Sequence, residues 1–226
     1  MNASANPSHV CLFSGTMVPA YSYPLPGSVY WQKLTDAAQR TSLVAIVNPS
    51  SGPGASVDAN YSAAIGGLRT AGGFAIGYVF TSYGSRALSS VLADVDSFAA
   101  FYPLDGFFID EMSTDSSATV LDYYSAIYSH VKSLNPEWPV VGNPGTVTDE
   151  AYLTRPATDL LVTFEGDPDA YAGYVSPPWV DHYSPDRFVH LVYGVVTADS
   201  MHSTLMTAFE RRAGWVFVTD DVLPNP

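Results

Sequence analysis

The chain has 226 residues, of which 47% are hydrophobic and 14% charged, a balance typical of a folded globular protein and unlike that of a disordered chain. Acidic residues outnumber basic ones by 22 to 9, which gives a formal net charge of −13. No cluster of Lys and Arg is present to follow a phosphate backbone or an anionic membrane, so we expect no nucleic-acid partner. A neutral or cationic ligand suits this charge better, although acidity that only maintains solubility would look the same.

Cys11 is the only cysteine, so the sequence offers neither an intrachain disulfide nor a cysteine-based zinc site. It lies in the apolar run VCLF, which favours an inert core thiol over a nucleophile. The opening MNASANPSH has no basic region and no long apolar stretch, so it predicts no signal peptide. No apolar run reaches the roughly 18 residues of a membrane-spanning helix. We therefore expect no membrane insertion, and residues 1–9 to be loosely held.

Eight short runs rich in β-branched and aromatic residues are typical of buried strands, and each ends in Gly, Pro, Asn or acidic residues. They span residues 10–21, 43–49, 73–80, 106–112, 139–145, 159–167, 187–195 and 214–221. Their starts recur every 20 to 33 residues, about the length of a strand, a helix and a turn. The pattern predicts alternating strands and helices.

Six segments between these runs have apolar residues at spacings of three and four, several with Ser, Thr or Asp at the start and Gly or Pro past the end. They span residues 28–40, 58–72, 85–102, 119–136, 148–156 and 202–214. Eight βα units without a linker favour a single (β/α)8 TIM-type barrel over a doubly wound sheet. We expect an α/β protein in which residues 1–226 form one barrel domain, and a monomer.

In such a barrel, the loops after the strands form the active face, so polar residues at the strand ends are the candidates for chemistry. They are Tyr21, Tyr23, Asn48, Tyr78, Thr81, Tyr83, Asp110, Glu111, Asn143, Glu165, Asp167, His190, Tyr193, Thr219, Asp220 and Asp221. A buried carboxylate without partners costs several kcal/mol, so a rim that includes the five acids Asp110, Glu111, Glu165, Asp167 and Asp220 favours a functional site over purely structural acids. Aromatic faces bind sugars and carboxylate pairs hydrolyse them, which indicates a carbohydrate site.

Seven motifs occur in an order and spacing that resemble one family. They are VPAYSYP, NPSSGPG, GYVFTSYG, DGFFIDE, GNPG, TFEG and WVFVTDD, and the likeness runs from about Val18 to Pro226. The sequence resembles the spherulin-4 family (spherulation-specific family 4). The resemblance implies a barrel glycoside hydrolase that cuts α-1,4 linkages inside galactosamine-containing polysaccharides, in stretches rich in N-acetylgalactosamine. It also implies that Asp110, Glu111 and Glu165 are the functional acids, and that the protein is secreted or held at the cell surface.

Other readings of these motifs remain open or are excluded. NPSSGPG favours a tight turn with Asn48 facing the site, since no Gly-Lys-Ser/Thr follows to make a phosphate loop. His190 is either a hydrogen-bonded core residue or a site residue. The tyrosines of DYYSAIY have helical spacing and favour packing. Neither a metal-protease nor a serine-hydrolase motif is present, so we expect no metal and no cofactor. The only lysines, Lys33 and Lys132, lie on predicted helices, which excludes a Schiff-base mechanism.

Successive residues on a strand face opposite sides, so Asp110 and Glu111 reach one bond only if the strand ends there. We assign Glu165 as the general acid, Asp110 as its ionised partner, and Glu111 as a residue that orients the pair or binds a sugar. The predicted substrate contacts are Tyr21, Asn48, Tyr78, Tyr83, Asn143, Asp167, Tyr193 and Asp220. The alternatives are a barrel that binds such a polysaccharide without cutting it and another carboxylate enzyme on the same fold.

Overall fold

A closed barrel of eight parallel strands forms the centre of the computed structural model, which describes residues 13–222. Each strand pairs with the next in chain order, and β8 closes the ring against β1. The strands are β1 (Gly15–Ala20), β2 (Leu43–Val47), β3 (Phe74–Phe80), β4 (Phe107–Asp110), β5 (Val140–Gly142), β6 (Leu160–Gly166), β7 (Phe188–Val192) and β8 (Trp215–Val218). The predicted (β/α)8 barrel is confirmed, and every strand lies within one of the eight predicted runs.

Seven α-helices lie in the described part of the chain. They are α1 (Val29–Ala38), α2 (Ala59–Thr70), α3 (Leu88–Phe101), α4 (Ala118–Leu134), α5 (Ala151–Thr154), α6 (Pro168–Gly173) and α7 (Ala198–Glu210). All six predicted helices are present, whereas α6 was not predicted because its six residues are too few for a periodic pattern. Two short 3-10 helices, Pro178–His182 and Pro185–Arg187, complete the connection to β7. Between β8 and residue 222 no helix is seen, so the eighth strand–helix pair is incomplete in this range.

Side-chain caps mark the starts of several helices, as the sequence suggested. Asp58 accepts hydrogen bonds from the backbone N–H groups of Asn60 and Tyr61, which would otherwise lack partners in the first turn of α2. Thr197 and Ser200 form a reciprocal capping box at the start of α7. None of the helices in residues 13–222 has the length and apolar character needed to cross a membrane.

Alternation along each strand divides the core into two parts. Val44 and Ile46 point into the barrel interior, whereas Leu43, Ala45 and Val47 pack outward against the helices. Burying each large aliphatic side chain contributes about 1.5–3 kcal/mol to folding, and nearly all of these side chains are inaccessible to solvent. The predictions for Cys11 and for residues 1–9 lie outside the described residues.

Candidate active site

A polar layer follows the apolar barrel interior at the carboxyl ends of the strands. Phe108 and Val141 belong to that interior. Asp110, the last residue of β4, and Asn143, the residue after β5, come two residues later, so alternation gives them the same inward orientation. The backbone N–H of Asn143 donates to the carbonyl of Ile109 at 2.8 Å, which extends the pairing of β4 and β5 by one step. The interior therefore changes from apolar to polar within one layer of side chains.

Strand β4 ends between its two acids. Asp110 is its last residue, and Glu111 has a φ of 48°, in the left-handed region that non-glycine residues rarely adopt. The carbonyl of Glu111 accepts hydrogen bonds from the backbone N–H of Tyr83 at 2.7 Å and from Oγ1 of Thr81 at 2.8 Å. Because the extended backbone stops at Asp110, alternation no longer holds the two carboxylates on opposite faces. Both of their charges raise the pKa of Tyr78, so both act on the same side chain.

A β-bulge in β6 aims Glu165 into the barrel. The pairing of β6 with β7 shifts register between Val162 and Phe164, which leaves Thr163 as an extra residue. After the bulge, Glu165 pairs with Leu191, whose side chain lies in the barrel interior, while Phe164 packs on the outer side of the strand. Regular alternation from Val162 would have turned Glu165 outward, towards the helices. The extra residue therefore brings this carboxyl to the side on which Asp110 lies.

The Asn143 side chain joins the two acids. Its Nδ2 donates to Oδ1 of Asp110 at 2.7 Å and to Oε2 of Glu165 at 2.8 Å. Its Oδ1 accepts from the backbone N–H of Gly145 at 2.9 Å. Gly145 has a φ of 65°, which favours glycine, and its carbonyl accepts from the backbone N–H of Glu165 at 2.9 Å. Because Oδ1 of Asp110 and Oε2 of Glu165 both accept from Nδ2 of Asn143, the distance between them cannot exceed the summed lengths of those two hydrogen bonds.

The environment of Glu165 favours its protonated form. Burial is the main cause that raises the pKa of Glu165 above its ordinary value, and the negative charge of Asp110 raises it further. The hydrogen bond from Asn143 opposes both effects because it stabilises the carboxylate. A raised pKa is the direction of shift that a carboxyl needs to act as a general acid.

Two tyrosines line the same polar layer. The rings of Tyr21 and Tyr78 meet edge to face with centroids 5.7 Å apart, and Tyr78 stacks on Phe108 at 6.5 Å. Burial is the largest cause that raises the pKa of each hydroxyl well above its ordinary value, and the charge of Asp110 comes next. Both hydroxyls therefore stay protonated near neutral pH and are available as hydrogen-bond donors at this site.

The family model of spherulation-specific family 4 matches residues 15–224, nearly the whole chain. The chain belongs to spherulation-specific family 4. The family expected from the seven motifs is therefore confirmed. Spherulin-4 of Physarum polycephalum is 41% identical over 152 residues, a match that covers 66% of this chain and 44% of that protein. This member of spherulation-specific family 4 thus matches less than half of the length of that relative.

Solved structures share the barrel of this spherulation-specific family 4 chain. Aspergillus clavatus Sph3, solved in complex with GalNAc, has a TM-score of 0.79 at 26% identity, covering 93% of this chain and 90% of Sph3. A GH18 chitinase from Pseudoalteromonas aurantia has a TM-score of 0.58 at 16% identity, covering 92% of this chain and 94% of the chitinase. At that lower identity the likeness shows the fold alone. The chain therefore has a barrel fold that glycoside hydrolases also have.

Not every predicted substrate contact of this family member joins the central cluster. The Asn48 side chain accepts a hydrogen bond from the backbone N–H of Gly52 at 3.0 Å and so stabilises the turn predicted from NPSSGPG. The Asp167 side chain caps α6 by accepting from the backbone N–H of Ala170 at 2.8 Å. Both residues follow strand ends, but their hydrogen bonds are local. Their contact with a ligand stays a prediction.

Three further predicted contacts lie around the rim. Tyr193 is partly buried after β7, and burial together with the charges of Asp167 and Glu165 raises the pKa of its hydroxyl. Tyr83 is 68% exposed and has a φ of 56°, and Asp220 is exposed after β8. The exposed ring of Tyr83 lies on a turn beside the acids and offers an open apolar face for stacking on a sugar. Its contact with substrate stays a prediction.

His190 is a hydrogen-bonded core residue, which resolves the alternative left open by the sequence. Its Nδ1 lies 2.7 Å from the Tyr171 hydroxyl and its Nε2 lies 3.1 Å from Oγ1 of Thr163. Burial, helped by the positive charge of Arg211, lowers the pKa of His190 to about 3. The ring is neutral and faces the outer side of β7, away from the acids.

Two supporting residues were missed in the sequence. The hydroxyl of Tyr124 lies 3.0 Å from Oγ1 of Thr81 and accepts from the backbone N–H of Ser113 at 2.8 Å. It therefore connects Thr81, which binds the carbonyl of Glu111, to the segment that follows Glu111. Its helical spacing indicated packing and gave no signal of this polar role. Gly145 was also missed, although the motif GNPG marked a turn at that point.

A mainly apolar cavity lies at the opposite end of the barrel. Its volume is about 730 Å³, and apolar side chains at the amino ends of the strands line it, including Met17, Val44 and Ile76. The pair Arg69–Asp105 lies at its rim. Among residues 13–222, no group of three or more His, Cys, Asp or Glu side chains converges in a way that could hold a metal ion.

Proposed function

We propose that this protein is an endo-acting glycoside hydrolase that cleaves α-1,4 linkages in a polysaccharide containing N-acetylgalactosamine or galactosamine, with retention of configuration. The observation that carries the proposal is the pair of hydrogen bonds, 2.7 and 2.8 Å long, from one amide nitrogen to Asp110 and Glu165. They keep these two oxygens no more than about 5.5 Å apart, which is below the 6.5–9.5 Å or so of inverting enzymes and supports the shorter spacing of retaining enzymes, about 5–5.5 Å.

The two acids divide the work in two steps. In the first, an Asp110 oxygen attacks the anomeric carbon while Glu165 donates its proton to the leaving glycosidic oxygen, so the C–O bond breaks and a glycosyl ester forms on Asp110. In the second, ionised Glu165 takes a proton from water, and the hydroxide oxygen attacks the anomeric carbon and releases Asp110. Burial of Glu165 supports its role as acid, and the nearby charge of Asp110 helps to raise the pKa of the Tyr78 hydroxyl, which is therefore a protonated neighbour of that carboxylate.

Support for the substrate comes from the comparisons and from the charge of the site. The solved relative Sph3, 26% identical, was crystallised with GalNAc. The acids of the polar layer and rim would attract the ammonium groups of deacetylated galactosamine, and Tyr21 and Tyr83 offer rings for sugar stacking. We extend the proposal to a secreted or cell-surface location, on the strength of the family resemblance. The unequal environments of the two acids support catalysis over binding alone.

Reducing-end release tests the proposal directly. The protein is incubated with acetylated and with deacetylated α-1,4-linked galactosaminoglycan, and with chitin as a β-linked comparison. We expect release of internal fragments from a galactosaminoglycan and none from chitin, and proton NMR of the first product should show the α-anomer. Tight binding without release would favour the non-catalytic alternative. A first product in the β form would contradict retention while leaving hydrolysis intact.

A further inference from the structure

The Asn143 side chain has no hydrogen-bond donor left for a substrate. The residue is 6% exposed, and the two hydrogens of Nδ2 are both directed to carboxyl oxygens, one of Asp110 and one of Glu165. Its Oδ1 accepts the backbone N–H of Gly145. A sugar hydroxyl would have to displace one of these bonds to gain a donor from this amide.

The orientation of the amide is fixed by its neighbours. In the opposite orientation, Oδ1 would face two carboxyl groups and Nδ2 would face the N–H of Gly145, so acceptors would meet acceptors and a donor would meet a donor. The backbone of Asn143 is held as well, since its N–H donates to Ile109 and its carbonyl accepts from Met112 at 2.9 Å. The amide is therefore a rigid element between the acids.

We propose that Asn143 is a positioning residue that sets the spacing of the Asp110 and Glu165 carboxyls and does not bind substrate. This proposal rests on the proposed function, and it replaces the role of substrate contact predicted from the sequence. Strands β4 and β6 do not pair with each other, because β5 lies between them. A residue at the end of β5 is thus the shortest link between acids on β4 and β6.

The link also acts on charge. Two carboxylates this close repel each other, and a donor shared between them stabilises ionised oxygens on both sides. Asn143 opposes the effects of burial and of Asp110 on the pKa of Glu165. Its removal should therefore leave Glu165 protonated to higher pH. The same removal should loosen the carboxyl spacing on which retention depends.

Two variants test the proposal, Asn143→Ala and the nearly isosteric Asn143→Asp, which retains an acceptor for Gly145. We expect kcat to fall on the order of 10²-fold, the effect of a small misplacement of reacting groups, while KM stays close to the wild-type value. The alkaline limb of the kcat/KM profile, which reports the general acid, should move to higher pH in both variants. The shift should be larger in N143D because it adds a third negative charge.

Carbon NMR titration of the Glu165 carboxyl gives a readout that needs no substrate. We expect the pKa of Glu165 to rise in both variants. This measurement does not depend on whether the protein cleaves a polymer. The matched control is Asn48→Ala. The Asn48 amide follows a strand and accepts from a glycine N–H, as the Asn143 amide does, but it is hydrogen-bonded to neither acid. The variant should leave the pKa of Glu165 unchanged. An unmoved titration in N143A and N143D, or a rise in KM with kcat intact, would overturn the proposal.

Discussion

The two ends of the barrel differ in the way that matters for locating the chemistry. The amino end has a cavity of about 730 Å³ whose walls are mainly apolar side chains. The carboxyl end brings together two carboxyls and an amide, joined by hydrogen bonds, with two tyrosines beside them. A reaction needs converging polar groups more than it needs space, so the carboxyl end is the better candidate for the active site. The comparison can be tested at both ends.

The largest effect should come from the acids themselves. We expect Asp110→Asn and Glu165→Gln each to reduce turnover by about 10²- to 10⁴-fold, since each keeps the size of the side chain but removes its ability to attack or to transfer a proton. Reducing-end release measures the loss, and polymer binding should largely persist.

The matched controls lie at the amino end. Asp186→Asn and Glu137→Gln make the same chemical changes at exposed positions beside the large cavity. Both should turn over polymer like the wild type. A loss of activity in the controls comparable to that in D110N and E165Q would reverse the assignment of the two ends.

Salt should weaken binding through the carboxyl end only. We expect the affinity for deacetylated, cationic polymer to fall severalfold as the ionic strength rises from about 0.05 M to about 1 M, because the screening length shortens to about 3 Å at 1 M. The double variant D167N/D220N should reduce this salt dependence, and Asn at position 167 still caps α6. D186N should not change it. Affinity indifferent to salt, measured by calorimetry, would contradict the electrostatic part of the proposal.

The stability of the fold should depend on pH through Glu165. Because its pKa is raised in the folded protein, stability falls as pH rises from the ordinary glutamate value of 4.5 through the folded pKa. E165Q removes this loss, so its melting temperature should equal or exceed that of the wild type at pH 7. At pH 4 the difference in melting temperature between E165Q and the wild type should be less favourable to the variant. E137Q gives the background for the same chemical change. Destabilisation of E165Q at pH 7 would instead indicate a structural carboxylate.

The smallest effect should come from filling the amino-end cavity. Val44→Ile adds one methylene to a side chain that lines this cavity, in a β-branched residue that suits a strand. We expect a change in unfolding free energy below about 1.5 kcal/mol, measured by denaturant titration, and unchanged turnover. A large loss of activity would show that the two ends are coupled.

The fold was predictable because the evidence for it is local and repeated. Most of the buried strands are mainly apolar runs, and each run is bounded by turn residues, so the approximate positions of β1 to β8 follow from the order of residues. The meeting of Asp110 and Glu165 at one end of the barrel was predictable from their position at strand ends. The short helix α6 was not predicted because a turn and a half carries no periodicity, and Asp167, predicted as a substrate contact, caps its start.

The arrangement of the site could not be predicted in the same way. Nothing in TFEG indicates that Thr163 is an extra residue in the pairing with β7. The end of β4 after Asp110 depends on a left-handed Glu111 whose carbonyl is held by Thr81, the residue that follows β3. The role of Asn143 depends on three residues meeting across β4, β5 and β6. These features arise from contacts between distant segments, and local sequence patterns do not encode such contacts.

The bulge in β6 decides which side chain of the TFEG motif reaches the polar layer. If Thr163 were instead paired in regular alternation from Val162, Phe164 would point among the acids and the Glu165 carboxyl would point towards the helices. Deleting Thr163 would remove the bulge but leave Glu165 paired with Leu191 and facing the barrel interior. Among homologues, the pairing of the glutamate with the inward-facing position of β7, rather than the length of β6, should therefore report the presence of an inward-facing acid.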